Sequence, residues 1–234
     1  LTGSFKLRGV MNKLLSLTKR QRGLELATAS TGNHGAAFAF GLKKLGLKGT
    51  IYLPTNASKA KIEGLRLWGA KLKFHGTDCV ETEAFARKTA DEKSFLFISP
   101  YNDLKVIAGH GTTAIELLEQ IKKFDAVFVP VGGGGLISGI GGYLKSKDKR
   151  IKIIGCQPQN SPVMYESIKA GKIIQMESKP TISDGTAGGI EQGSITFDLC
   201  RSYVDDFVLV SEKEIKEAVR LLIEKHHLLV EGSA

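Results

Sequence analysis

The order of apolar patterns predicts an α/β protein of mostly parallel sheet flanked by helices, and three observations carry the prediction. Short strand-like runs alternate with helical patterns of ten or more residues along most of the chain. Two glycine-containing clusters, 30–35 and 131–135, fall between a strand and the helix after it, where parallel α/β units turn. The length of 234 residues, with 42% hydrophobic and 24% charged side chains, suits one large or two small domains with a real core.

The elements follow in order. Ala27 to Ser30 closes a short apolar segment, and Ala36, Ala37, Phe40 and Leu45 then give a helix ending at Gly46. Thr50 to Leu53 is a strand stopped by Pro54. Ile62, Leu65 and Leu67 mark a helix over Lys59 to Trp68, and Lys71 to Phe74 reads as a third strand. Asp78 with Glu81 forms a capping-box pattern opening the next helix, and Phe95 to Ser99 is the strand after it. Ile115, Leu118 and Ile121 mark a long helix; Ala126 to Val131 is a buried strand, Ile137 to Leu144 a helix and Ile151 to Cys156 a strand. An irregular stretch runs from Gly155 to Gly193. Phe207 to Val210 then leads into a second capping box, Ser211 with Glu214. Ile215, Ala218, Val219, Leu222 and Ile223 fill every position of the amphipathic template after it. Right-handed βαβ units of this kind predict sheets covered on both faces.

Composition narrows the function classes. Glycine is raised, 27 residues or about 12%, but in clusters with no collagen period. The apolar runs, such as Ala126 to Val131, are far shorter than a membrane span, and no charged-then-apolar leader opens the sequence. Cys79, Cys156 and Cys200 are widely spaced, which fits neither a disulfide framework nor a thiolate metal site, so a reducing cytoplasm is the expected setting. The five histidines form no ligand-spaced motif, and no zinc is expected. A net charge of +9 could suit nucleic acid, but the lysines and arginines are spread over the whole length with one Trp and five Tyr beside them. A solvated lysine-rich surface is the better reading, with no nucleic-acid partner and no membrane.

Three segments can carry chemistry. Four glycines, Gly132 to Gly135, before Leu136 let backbone amides approach an anion at a helix N-terminus; a plain tight turn is the alternative. Ser30-Thr31-Gly32-Asn33-His34-Gly35 places hydroxyls, an amide and an imidazole at a second helix N-terminus, which suits a carboxylate, against ordinary capping by Ser30 or Thr31. His34 receives no acid–base role. Lys6, in Ser4-Phe5-Lys6-Leu7-Arg8-Gly9, alone would be surface charge. With the other two, an amine for a Schiff base, an amide-lined cup for a phosphate and another for a carboxylate are the parts of a pyridoxal phosphate site.

With these segments the chain resembles the fold type II (tryptophan synthase β-like) pyridoxal phosphate enzymes, in particular the threonine/serine dehydratases and serine racemase. The resemblance rests on TGSFKLRG (2–9), STGNHG (30–35), PYNDLKVIAGHG (100–111), VGGGGLISG (131–139) and EGSA (231–234), in the family's order and approximate spacing. It implies that Lys6 holds pyridoxal 5'-phosphate as a Schiff base, with Phe5 on one face of the ring and Asn33 on the ring hydroxyl. Gly132, Gly133, Gly134, Gly135 and Leu136 would bind the phosphate, with Asn102 nearby and Glu231 near the ring. Ser30, Thr31, Asn33 and His34 would surround the substrate. It implies a small mobile domain, 25–101, and a large cofactor domain, 1–24 and 102–234, whose closure excludes water. The freed Lys6 amine would remove the Cα proton of a β-hydroxy amino acid, and loss of the hydroxyl would lead to a 2-oxo acid and ammonia.

Alternatives stay beside this reading. Thr31 stands where serine racemase carries a catalytic serine, so its hydroxyl admits racemisation. A β-replacement enzyme of the cysteine synthase kind, a truncated non-catalytic relative and a phosphate-ligand binding module are the others. Serine racemase and its near relatives bind a divalent cation through acids where this chain has Gln157 and Val163, so no metal is expected. Family members start before the lysine motif and continue past EGSA, which implies truncation at both ends with part of the large domain's sheet unpaired. Full-length relatives imply a homodimer.

Overall fold

The computed structural model describes residues 2–77 and 79–234, so the Asp78 half of the first capping box lies outside the described residues. Contacts divide the chain into two compact units between His110 and Gly111. The first contains α1 (Lys6–Leu15), α2 (Lys19–Arg22), β1 (Leu26–Ala29), α3 (Asn33–Leu45), β2 (Gly49–Leu53), α4 (Lys59–Arg66), β3 (Lys71–Phe74), α5 (Cys79–Glu92) and β4 (Leu96–Phe97). The division falls inside α6 (Leu104–Gln120). The second unit contains β5 (Ala126–Pro130), α7 (Gly135–Lys147), β6 (Lys152–Pro158), α8 (Val163–Ala170), α9 (Ile195–Tyr203), β7 (Asp206–Val210) and α10 (Glu212–His226).

The first sheet has the order β3-β2-β1-β4, all parallel, with Ala27 beside Thr50 and Phe97. Every residue of β1 is buried, because alternate side chains enter two cores. Leu26, Ile51 and Leu53 pack with Val10, Leu14 and Phe38 of α1 and α3, whereas Ala27, Ala29 and Tyr52 meet Ala86 and Ala90 of α5. A strand buried on both faces reads as a continuous apolar run. Each large side chain so buried contributes about 1.5–3 kcal/mol.

Glycines let the helices beside the lysine motif approach closely. A Cβ at Gly9 of α1 would strike the His110 ring, and one at Gly109 of α6 would lie 2.7 Å from the Gly9 Cα. This explains why α6 starts at Leu104, well before the periodicity from Ile115 marks it. Glycine costs about 1 kcal/mol in a helix and masks the pattern, but here close packing requires it.

In the second unit β5-β6-β7 are parallel, with Val129 beside Gly155 and Gly155 beside Phe207. One face is buried through Val129 and Ile153. The other is partly open: Phe128 is 65% exposed and Val208 43%. The irregular stretch also contains structure, since β6 runs on to Pro158 and α8 occupies Val163–Ala170. Two helical turns give periodicity too few points, although Pro162 before α8 and left-handed Gly171 after it bound the helix. The Ser211–Glu214 capping box forms as predicted, with Glu214 N–H donating to Ser211 Oγ and Ser211 N–H donating to Glu214 Oε2. No helix among the described residues is long and apolar enough to cross a membrane.

Candidate active site

In the first unit Lys6 opens α1, and its Nζ donates to the Pro100 carbonyl at 3.3 Å. The Phe5 ring stands 5.2 Å from the same nitrogen and meets His110 edge-on at 5.0 Å between ring centroids. Asn102 sits two residues past Pro100, its backbone N–H donating to the buried Ser99 Oγ at 2.9 Å.

His110 is fully buried, and neither ring nitrogen has a hydrogen-bond partner among the described residues. Burial, then the Lys6 charge, pushes its pKa down to about 2, with His34 and Arg8 adding to the effect. His34, in the first turn of α3, is also buried. Its Nε2 lies 3.0 Å from Thr28 Oγ1, which itself donates to the Ile98 carbonyl at 2.8 Å. Because the hydroxyl proton is committed to Ile98, Thr28 accepts from His34, which assigns the Nε2–H tautomer. Burial first and Lys6 second bring the His34 pKa down to about 3, against a smaller opposing effect of the Ile98 carbonyl. Both imidazoles are therefore neutral at physiological pH, and the His34 ring faces β1.

The Ser30–Gly35 turn does not use ordinary capping. The N-cap of α3 is Gly32, which has no side chain, and Ser30 Oγ instead accepts the Gly32 N–H at 3.3 Å. A Cβ at Gly35 would strike the Ser30 carbonyl, so glycine there lets the turn fold tightly onto the helix. Thr31 and Asn33 flank this N-terminus and are half-buried.

The second unit carries the glycine loop. Val131 extends the ladder beyond β5 by donating to the Cys156 carbonyl at 2.8 Å. Gly134 is the N-cap of α7 at φ 84°, a left-handed conformation that glycine adopts without strain, and no side chain caps the helix. A Cβ there would lie 2.8 Å from Met164 Cε, 2.9 Å from Cys200 Sγ and 3.0 Å from Thr196 Cβ. One at Gly132 would come within 3.0 Å of the Thr186 Cα. Burial pushes the Cys200 thiol up to about 12, so the wall under the loop is uncharged. Leu136 follows in the first turn of α7.

Glu231 joins the same unit through a short chain of contacts. Ser233 Oγ lies 3.5 Å from Glu231 Oε1 and accepts the Gly185 N–H at 3.1 Å. One residue on, Thr186 backs Gly132, its hydroxyl 2.6 Å from that of Ser183. His110, Ser183, Thr186 and Gln157 are not among the site residues that the sequence predicts. His110 stands inside one of the motifs, whereas Ser183 and Thr186 lie in the stretch that reads as irregular, with no signal beyond its turn residues.

The residues suit pyridoxal phosphate. In the second unit Gly132 and Gly134 stand where a Cβ would meet the wall behind the loop, at the N-terminal end of a helix dipole. In the first, Lys6 offers a primary amine held by a neutral carbonyl. Among the described residues no group of three or more His, Cys, Asp or Glu could hold a metal ion.

Comparison with known proteins agrees. The family described as pyridoxal-phosphate dependent enzyme matches residues 1–234. An L-threonine ammonia-lyase of Thermotoga maritima is 38% identical over 232 residues, covering 99% of this chain and 58% of that protein. A catabolic L-threonine dehydratase of Escherichia coli K12 is 37% identical over 99% of this chain and 70% of its own length. Among solved structures, maize serine racemase superposes with a TM-score of 0.93 at 33% identity, covering 99% of this chain and 70% of that one. A T.th. threonine deaminase gives 0.90 at 33% identity, covering 99% and 75%. The chain thus spans little more than half the length of the first of these relatives, and about 70% of the second. It belongs to the pyridoxal-phosphate dependent enzymes, in the fold type II class, and pyridoxal phosphate is the cofactor of its family.

Proposed function

We propose that this chain carries the catalytic portion of an ammonia-lyase that converts a β-hydroxy amino acid, threonine first and serine second, to a 2-oxo acid and ammonia. The observation that carries the reading is the setting of Lys6: its amine rests on the Pro100 carbonyl, with two histidines held uncharged nearby. The relatives named threonine ammonia-lyase and threonine dehydratase supply the substrate class.

In this reading Lys6 Nζ attaches the cofactor and, once released, moves the substrate Cα proton. When bound, the pyridoxal ring supplies the electron sink that makes that proton acidic. The neutral imidazoles take no proton from Lys6, so it remains the base of the cluster. Phe5 would pack on the ring, Asn33 would bind its hydroxyl, Glu231 would lie near the ring and Asn102 near the phosphate. The amides of Gly132 to Gly135 with Leu136 hold the phosphate. The backbone N–H groups at the start of α3, with Ser30 and Thr31, orient the substrate carboxylate; the His34 ring, bonded to Thr28, positions that turn from beneath. We assign 25–101 to a mobile small domain and 1–24 with 102–234 to the large one. The whole protein is proposed to be cytoplasmic and homodimeric.

Loading the protein with pyridoxal phosphate and adding L-threonine or L-serine tests the reading. Formation of 2-oxobutanoate from threonine is expected, whereas a loaded protein that forms no 2-oxo acid from either would contradict it. The Thr31 hydroxyl and the likeness to maize serine racemase favour racemisation as a second reading, and D-serine appearing in the same assay would establish it.

A further inference from the structure

Gln157 ends up at the centre of the second unit, 2% exposed, with both halves of its amide used. Its Nε2 donates to the Val131 carbonyl at 3.0 Å, and its Oε1 accepts the Tyr165 N–H at 2.8 Å. One partner is an acceptor and the other a donor, so the amide has a single orientation, and a carboxylate could not serve both.

Each bond acts on the glycine loop. The peptide joining Val131 to Gly132 is planar and trans, so fixing the Val131 C=O aims the Gly132 N–H the opposite way. At the far side, α8 starts after Pro162 with no side-chain cap, and Gln157 satisfies a first-turn N–H from β6, as an N-cap side chain would. The same helix sends buried Met164 against Gly134. One side chain therefore ties the loop's entrance to the helix that supports its exit.

We infer that Gln157 is a positioning residue for the phosphate cup, setting the direction of the loop's amides while the loop backbone makes the contact. The inference rests on the reading that Gly132 to Gly135 bind the cofactor's phosphate. It predicts that Gln157 governs affinity for pyridoxal phosphate and not for pyridoxal, which has the same ring and aldehyde without the phosphate.

Titrating both ligands into wild type, Gln157→Glu and Gln157→Met separates the possibilities. Glu keeps the Tyr165 bond and places an acceptor against the Val131 carbonyl; Met removes both bonds at similar volume. Either variant should raise the Kd for pyridoxal phosphate on the order of tenfold while that for pyridoxal stays within about twofold. Equal weakening of both ligands, or of neither, overturns the positioning role. A wild type that binds both ligands equally overturns the phosphate reading of the loop itself, and the role of Gln157 with it. Hydrogen–deuterium exchange on wild type requires no variant to fold. Pyridoxal phosphate should slow exchange in both 132–136 and 163–168, and protection confined to the first segment overturns the coupling.

Discussion

Two strand-to-helix turns in this molecule offer helix N-termini by opposite means. The turn before α3 is built from side chains: Ser30 bonds the Gly32 amide, and His34 is pinned to Thr28 beside the lysine motif. The turn before α7 is built from backbone, with side chains lent by α8, α9 and the Ser183–Thr186 turn. The first should respond to changes of chemical group and to pH. At its N-cap the second should respond to changes of volume, because a Cβ at Gly134 meets three side chains whereas one at Gly32 meets nothing within 4 Å.

The largest expected effect lies on the side-chain side. Lys6→Ala should lower 2-oxo acid formation on the order of 10³-fold or more, since in the proposed function one amine both attaches the cofactor and moves the proton. Retained activity would detach the lysine motif from the reaction.

Next comes a pair of matched substitutions at the two N-caps. Gly134→Ala places a Cβ at φ 84° within 3.0 Å of three side chains, so denaturant unfolding should show a loss of about 2–5 kcal/mol. Gly32→Ala meets nothing within 4 Å at a negative φ and should stay within about 1 kcal/mol. Equal losses would erase the distinction between the turns.

A pH series sharpens it further. His34 and His110 titrate near 3 and 2 in the native state, below the ordinary 6.5, so between these values the unfolded chain binds more protons. Stability is fully present above pH 6.5 and falls as pH is lowered toward 3. The slope is up to about 1.4 kcal/mol per pH unit for each histidine. Melting curves between pH 7 and 5 should show this, and His110→Gln should make the slope shallower. The smallest effect is expected for Ser30→Ala, about 0.5–1 kcal/mol in the same unfolding assay, for one long hydrogen bond lost.

The contrast also explains what the sequence disclosed. The residues proposed to act directly were legible because each set lies in one short segment: the lysine motif at 4–9, the turn at 30–35 and the glycines at 132–135, the latter two each between a strand and a helix. The supports were not. Thr186 and Gln157 touch the glycine loop from 51 and 22 residues beyond Gly135, and their roles arise only when the chain folds back on itself. Gln157 reads in the sequence as a strand-end polar residue, and only burial with two opposed partners reveals its use. His110 stands inside a motif, but its burial shows only once Gly9 and Gly109 are seen packed together.

The central claim is that Lys6, among the chain's many lysines, is the cofactor's anchor. Reducing the pyridoxal phosphate-loaded protein with borohydride and mapping the peptides by mass spectrometry tests it directly. A single phosphopyridoxyl adduct on Lys6 is predicted, and an adduct on a different lysine, or none, would contradict the account.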